Sequence, residues 1–118
     1  MSLKIYHNPR CSKSRKTLEI IQDAGVEPGI VLYLEEIPAA AEILDLAGKL
    51  GKPVAALLRR GESSFKDATD LPDLNDDAAL AAWLVAHPIV LERPIVVDTA
   101  TGKAVVGRPP ENVNDLLS

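Results

Sequence analysis

The sequence predicts an α/β fold with a four-stranded mixed β-sheet flanked by helices, and three observations support this class. An apolar strand, a helix and a second apolar strand follow one another within the first 35 residues. Two short apolar stretches near the C-terminus are joined by a turn containing Thr101-Gly102, which is typical of an antiparallel hairpin. A helix-rich segment lies between these two parts. At 118 residues, the chain is expected to form one domain, 1–118.

The first three elements form a β-α-β pattern. The stretch "LKIY" (3–6) is short, apolar and β-prone, and a polar loop follows it. Apolar residues then recur at helical spacing from Ser12 until Gly25, which is a natural helix stop. In "GIVLYLE" (29–35) the apolar run that begins at Ile30 does not alternate, which predicts a strand covered on both faces. Strands joined in this way are expected to be parallel.

The middle of the chain is predicted to be a helical insertion. After Pro38, one face of a helix is apolar and comprises Ile43, Leu44, Ala47 and Leu50. Pro53 suits the first turn of a short helix, "PVAALLRR". The polar segment 61–75 is expected to be an exposed connection, and Asn75 is expected to cap a helix that runs to His87.

The C-terminal part completes the pattern. "PIVV" (94–97) and "KAVVG" (103–107) are predicted to form the hairpin, and "PPENVNDLLS" is predicted to be the last helix. The order β-α-β, helices, β-β-α is the thioredoxin-like arrangement, so the predicted fold is thioredoxin-like with a helical insertion.

Composition excludes several classes of function. The net charge of −4 argues against a nucleic-acid binder, because such proteins present a basic face. No apolar run approaches the roughly 18 residues of a membrane helix, and the start of the chain lacks a secretory leader pattern, so no membrane partner and a cytoplasmic location are expected. No metal site is predicted, since a calcium-loop pattern started at Asp73 places Ala78 where glycine is required.

The only cysteine, Cys11, lies where the first strand gives way to the first helix, and four cations surround it: Arg10, Lys13, Arg15 and Lys16. The N–H groups at a helix N-terminus lower the pKa of a thiol from ~8.5 to values between ~3.5 and ~7.5. The same groups bind oxyanions. We therefore interpret Cys11 as a nucleophile beside an anion site. The alternative is a buried structural cysteine. A phosphatase is disfavoured because its loop needs arginine six positions later, where this chain has Thr17.

Other polar residues have two interpretations. His7 is either a base or a hydrogen-bonding residue of the loop. Arg59, Arg93 and Arg108 each lie at the end of a predicted element, where a guanidinium can face a shared anion. The alternative for each arginine is an exposed, solvated side chain.

Five motifs together resemble the ArsC family, the glutaredoxin-linked arsenate reductases, and most closely its short branch: "YHNPRCSKSR", "YLEEIP", "LLRR", "ERPIVV" and "GRPPE". The resemblance implies that Cys11 forms a covalent adduct with arsenate and that Arg59, Arg93 and Arg108 hold the oxyanion. It also implies a cis Arg93-Pro94 bond and a loop that tunes the cysteine through four residues, which are His7, Asn8, Ser14 and Arg15.

The resemblance further implies the partners and cofactors. Arsenate is reduced to arsenite with glutathione as co-substrate and glutaredoxin as the final reductant, and no bound cofactor is needed. One alternative is a glutathione-linked oxidoreductase acting on another oxyanion or a mixed disulfide. A second is a redox regulator similar to Spx, which binds RNA polymerase. The usual Spx sensor is a CxxC motif, and here its second position is Ser14.

Overall fold

The computed structural model describes residues 2–117, which contain four strands: β1 (Leu3–Tyr6), β2 (Gly29–Val31), β3 (Ile95–Asp98) and β4 (Ala104–Val106). They form one sheet in the order β2-β1-β3-β4. Strand β1 is parallel to β2 and antiparallel to β3, and β3 is antiparallel to β4. The predicted four-stranded mixed sheet of the thioredoxin-like arrangement is confirmed.

The α-helices are α1 (Ser12–Asp23), α2 (Ala40–Leu50), α3 (Ser63–Lys66), α4 (Asp77–Ala86) and α5 (Asn114–Leu117). Short 3₁₀ helices cover Val54–Leu57, Pro88–Val90 and Pro110–Val113. Within residues 2–117, none of these helices combines the length and the apolar character that crossing a bilayer requires.

The chain divides into two compact units. The first unit contains the sheet, α1 and the C-terminal helices, and the second is Ile37–Glu92, which holds the predicted helical insertion. In the first unit, α1 and the C-terminal helices pack against the sheet through a buried apolar cluster that comprises Leu3, Ile5, Ile21, Val96, Val113 and Leu116. Removing these side chains from water is the main force that holds α1 on the sheet. The expectation of a single domain stays a prediction.

The second strand differs from its prediction. Strand β2 ends at Val31, and the next residues form a turn in which the N–H groups of Glu35 and Glu36 donate to the Leu32 carbonyl oxygen at 2.8 and 2.7 Å. Because β2 has a neighbour on one side only, it is an edge strand, and Ile30 is 45% exposed. The expectation of a strand covered on both faces was wrong, since part of the apolar run belongs to the turn.

Four details of the second unit also differ. Helix α2 buries Ile43, Leu46 and Ala47, whereas Leu44, which was expected on the buried face, is exposed. The cap of α4 is Asp76 rather than Asn75, since the Asp76 Oδ1 atom accepts from the Ala79 N–H group at 3.1 Å. The predicted "PVAALLRR" helix is a single 3₁₀ turn, and the connection 61–75 contains α3.

Candidate active site

Cys11 lies directly before the first residue of α1, as the sequence predicted. Its backbone is extended, with φ −92° and ψ 122°, and its N–H group donates to the Asn8 carbonyl oxygen at 3.0 Å. Its own carbonyl oxygen accepts from the Arg15 N–H group at 3.0 Å, which closes the first turn of the helix. The side chain is partly exposed. The thiol therefore lies at the N-terminus of α1. A helix N-terminus has N–H groups without backbone partners and a partial positive charge.

The surroundings of Cys11 favour its thiolate form. Partial burial alone would raise the pKa of the thiol, but four groups act in the other direction, and the pKa is lowered overall. In order of size, these are the backbone N–H groups of Ser14 and Lys13, the charge of Arg108 and a hydrogen bond from Arg93. The Sγ atom does not form a side-chain capping hydrogen bond of standard geometry with α1. The two N–H groups nevertheless lie near enough to stabilise negative charge on it. The interpretation as a buried, structural cysteine does not fit this setting.

Two of the three predicted arginines are brought to the thiol. The Nη2 atom of Arg108 lies 3.6 Å from Cys11 Sγ, and its Nε atom donates to the Arg93 carbonyl oxygen at 2.9 Å. Arg93 is itself buried, with 7% of its surface exposed. The predicted cis Arg93-Pro94 bond is present, and the Arg108-Pro109 bond is also cis. These two guanidinium groups and the helix N-terminus give the site a positive character around a nucleophilic sulfur.

Arg59 lies in the second unit. There its side chain forms ion pairs with Glu62, at 3.6 Å between Nε and Oε1, and with Glu92, at 3.3 Å between Nη1 and Oε1. Its predicted part in anion binding stays a prediction.

The loop before Cys11 is held by a buried hydrogen-bond network. Ser14 is fully buried, and its Oγ atom is hydrogen-bonded to His7 Nδ1 at 2.7 Å and accepts from the Asn8 N–H group at 3.1 Å. The Asn8 side chain in turn accepts from the Arg10 N–H group at 3.0 Å. Ser14 lies on α1, so the network ties the loop to the first turn of the helix. These residues support the cysteine by fixing the backbone around it.

His7 is part of this network and has the character of a structural residue. Burial lowers its pKa below the usual 6.5, and the positive charge of Arg15 lowers it further, so the ring is neutral at pH 7. Arg15 also donates from Nη1 to the Pro9 carbonyl oxygen at 2.8 Å. The geometry favours the interpretation of His7 as a hydrogen-bonding residue of the loop over that of a base.

A close contact between Thr17 and Gly107 was missed by sequence reasoning. Thr17 is fully buried on α1, where its Oγ1 atom donates to the Lys13 carbonyl oxygen at 2.8 Å and lies 3.4 Å from the Gly107 carbonyl oxygen. A Cβ atom at Gly107 would lie 2.5 Å from Thr17 Oγ1 and 2.8 Å from Pro94 Cγ. Only glycine fits there, and it directly precedes Arg108. The one sequence signal is that polar Ser14 and Thr17 share the buried face of α1 with Ile21.

The arrangement is suited to nucleophilic chemistry on an anion. A thiolate is the reactive form of cysteine, and guanidinium and backbone N–H groups stabilise negative charge on an incoming oxyanion. In the part of the chain that the structure describes, no three His, Cys, Asp or Glu side chains are grouped so as to hold a metal ion.

Comparisons with known proteins identify relatives over almost the whole length. A model of the ArsC family matches residues 6–116. The chain is 47% identical over 116 residues to the uncharacterized protein YfgD of Escherichia coli strain K12, covering 98% of this chain and 96% of that protein. It is 44% identical over 117 residues to the arsenate reductase of Neisseria meningitidis serogroup A, covering 98% and 97%. The solved structure of an arsenate reductase from Vibrio cholerae matches with a TM-score of 0.86 at 42% identity, covering 98% and 97%.

Proposed function

Since the chain belongs to the ArsC family, we propose that it reduces arsenate to arsenite through a covalent adduct on Cys11, with glutathione and glutaredoxin supplying the further thiols. The observation that carries this proposal is the 3.6 Å distance between Arg108 Nη2 and Cys11 Sγ. It places a permanent positive charge beside the nucleophile, where the same charge can hold an arsenate oxygen. The relatives named arsenate reductase support the choice of arsenate.

In the first step, the Cys11 thiolate attacks the arsenic of dihydrogen arsenate. An S–As bond forms, one As–O bond breaks, and hydroxide leaves, while arsenic stays As(V). Arg93 and Arg108 neutralise the negative oxygens, which would otherwise repel a thiolate. The N–H groups at the start of α1 contribute to the same end, because they favour both the thiolate and an oxyanion.

In the second step, a glutathione thiol forms a disulfide bond with Cys11 Sγ and the S–As bond breaks. Two electrons pass from the two sulfurs to arsenic, and the thiol proton goes to an arsenite oxygen as As(III) leaves. The thiol must come from another molecule because the chain has one cysteine. In the third step, a glutaredoxin thiolate attacks the glutathione sulfur of the mixed disulfide and restores the Cys11 thiolate.

The decisive assay follows NADPH consumption that depends on arsenate in the presence of glutathione, glutaredoxin and glutathione reductase. The wild type should turn over, and Cys11→Ser should lose all activity because serine supplies no thiolate. Lys103→Gln is a matched control, since it removes one positive charge from the turn between β3 and β4. It should keep wild-type turnover.

Two other results would replace the proposal with its alternatives. Reaction of Cys11 with glutathione disulfide, without arsenate turnover, would favour a thiol oxidoreductase that acts on mixed disulfides. Binding of purified RNA polymerase that depends on the oxidation state of Cys11, again without turnover, would favour a redox regulator.

A further inference from the structure

A cleft of about 320 Å³ opens beside the loop that carries Cys11. One wall is the loop from His7 to Arg10, and the other is the turn after β2. Its lining residues are His7, Asn8, Pro9, Arg10, Leu32, Leu34 and Glu35. Arg10 is the residue directly before Cys11, so the cleft adjoins the nucleophile. All of its lining residues belong to the first unit.

Both walls of the cleft are fixed by hydrogen bonds of the backbone. The Arg10 N–H group donates to Asn8 Oδ1 at 3.0 Å, and the Asn8 N–H group donates to Ser14 Oγ at 3.1 Å. On the other side, the Leu32 carbonyl oxygen accepts from the Glu35 N–H group at 2.8 Å. None of these hydrogen bonds uses the charged side chain of Arg10 or Glu35, so substitution of either charge leaves them in place.

The cleft carries one positive and one negative side chain, and neither forms an ion pair within the described part of the chain. Arg10 and Glu35 both line it and both are exposed. Among residues 2–117, neither side chain forms a hydrogen bond or an ion pair with another residue, nor do the two pair with each other. The half-buried apolar side chains of Leu32 and Leu34 line the same cleft. The surface thus suits a small ligand with a carboxylate, an ammonium group and a short apolar middle.

We propose that this cleft binds glutathione, the thiol that the second step of the proposed function requires. Glutathione carries two carboxylates and one ammonium group at the ends of a short peptide with a central thiol. Arg10 binds a carboxylate, Glu35 binds the ammonium group, and the leucines contact the cysteinyl part. Arg10 lines the cleft and directly precedes Cys11, and consecutive Cα atoms are about 3.8 Å apart, so a tripeptide bound beside Arg10 lies next to the backbone of the nucleophile. The cleft would explain how the thiol is delivered to the Cys11 adduct.

The direct test uses S-methylglutathione, which has the same charges and cannot form a disulfide. It is titrated into the ¹⁵N-labelled full chain, and amide shifts are followed by NMR. Shifts are expected at residues 7–10 and 32–35. Shifts confined to other residues, or no saturable shifts at millimolar concentration, would overturn the proposal. This readout is independent of arsenate, so it is informative even if the protein is not an arsenate reductase.

Charge variants test the role of each wall. Arg10→Gln and Glu35→Gln should each weaken S-methylglutathione binding about fivefold or more, since each removes one ion pair with the ligand. Glu36→Gln is the matched control, because Glu36 is the neighbouring exposed acid and does not line the cleft. It should change affinity less than about twofold. Equal effects of Glu35→Gln and Glu36→Gln would mean that overall charge, and not the cleft, controls binding.

Steady-state kinetics separate this inference from the proposed function. If both hold, Glu35→Gln raises the KM for glutathione and leaves the KM for arsenate unchanged. Arsenate turnover with an unchanged glutathione KM in Glu35→Gln would leave the function intact and refute the cleft. Binding of S-methylglutathione without arsenate turnover would support the cleft and refute the function.

Discussion

The Nη2 atom of Arg108 lies 3.6 Å from Sγ of Cys11, although the two residues are 97 positions apart in the chain. The contact joins the end of the β3-β4 hairpin to the start of α1. Arginine keeps its charge over the whole pH range in which proteins are folded, so the thiol has a permanent cation beside it. The pKa of Cys11 is correspondingly lowered.

We predict that Arg108→Gln raises the pKa of Cys11, because the substitution removes this charge and keeps a polar side chain. The thiolate absorbs near 240 nm, so absorbance against pH reports its formation, with Cys11→Ser as the blank. Alkylation by iodoacetamide at pH 7 should also become several-fold slower. Lys103→Gln should leave both measurements unchanged, and an unchanged titration in Arg108→Gln would contradict the role given to Arg108.

Gly107→Ala should destabilise the protein and also weaken the effect of Arg108. The new methyl group would meet Thr17 Oγ1 at 2.5 Å and Pro94 Cγ at 2.8 Å, and overpacking of this kind costs about 1–3 kcal/mol. Since Arg108 is the next residue, its displacement should raise the pKa of Cys11. Urea unfolding and thiolate absorbance measure the two effects.

Two variants serve as controls for Gly107→Ala. Gly48→Ala adds a methyl group with no atom within 4 Å inside α2, and it should be neutral or stabilise by up to about 1 kcal/mol. Thr17 Cγ2 would also lie 3.0 Å from the new methyl group, so adding Thr17→Ala to Gly107→Ala removes two of the three crowded atoms and should recover part of the lost stability. No recovery would show that the clash with Thr17 is not the cause.

His7 should make stability fall in mild acid. Its pKa is below 6.5 in the folded state because of burial and Arg15, so the unfolded chain binds more protons as the pH drops below about 6.5. The contribution of neutral His7 is therefore fully present above pH 6.5 and is lost as the pH falls toward its folded pKa. Urea unfolding at pH 7.5 and 5.5 should show a smaller loss of stability in His7→Gln than in wild type.

The other histidine of the chain provides the comparison for this pH effect. His87 lies 3.8 Å from Asp70, between Nε2 and Oδ2, and takes no part in the network around Ser14. The variant His87→Gln should retain the acid sensitivity that His7 confers. A wild-type slope in His7→Gln would assign the sensitivity to other groups.

The start of α4 offers a test of helix capping. Asp76→Ala should cost about 1 kcal/mol, because Asp76 Oδ1 accepts from the Ala79 N–H group at 3.1 Å. Asn75→Ala should stay within about 0.5 kcal/mol, since the bond from the Asn75 N–H group to Asp73 Oδ1 uses only its backbone. Thermal unfolding compares the two variants, and a larger cost at position 75 would reverse the assignment of the cap.

Local signals predicted most of the first unit. The change from an apolar strand to helical spacing located both β1 and the position of Cys11 before α1. The predictions failed where the structure depends on how an element is placed among the others or on its backbone geometry. Ile30 belongs to an apolar run, but its strand lies at the edge of the sheet. Likewise, Asn75 and Asp76 are both good caps, and only the backbone geometry selects Asp76.

The site was predictable in part for the same reason. The lowered pKa of Cys11 follows in part from residues close to it in sequence, since the N–H groups of Ser14 and Lys13 belong to the helix N-terminus, whereas the cations that lower it are the distant Arg108 and Arg93. The approach of Arg93 and Arg108 does not follow from nearby residues, and it was expected only from resemblance to the ArsC family. The contact between Thr17 and Gly107 spans 90 positions and involves a residue with no side chain, so the polar face of α1 was the one sign of it and the sequence did not indicate the partner.

The hydrogen bond from Arg108 Nε to the carbonyl oxygen of Arg93 affects how the two arginines contribute to anion binding. That acceptor is main chain, so truncating residue 93 to alanine deletes one guanidinium and still leaves the oxygen that orients its neighbour. Because both guanidinium groups act on the same anion, the losses of sulfate or arsenate affinity from alanine at 93 and at 108 should nevertheless couple in a double-mutant cycle, by about 0.5–3 kcal/mol.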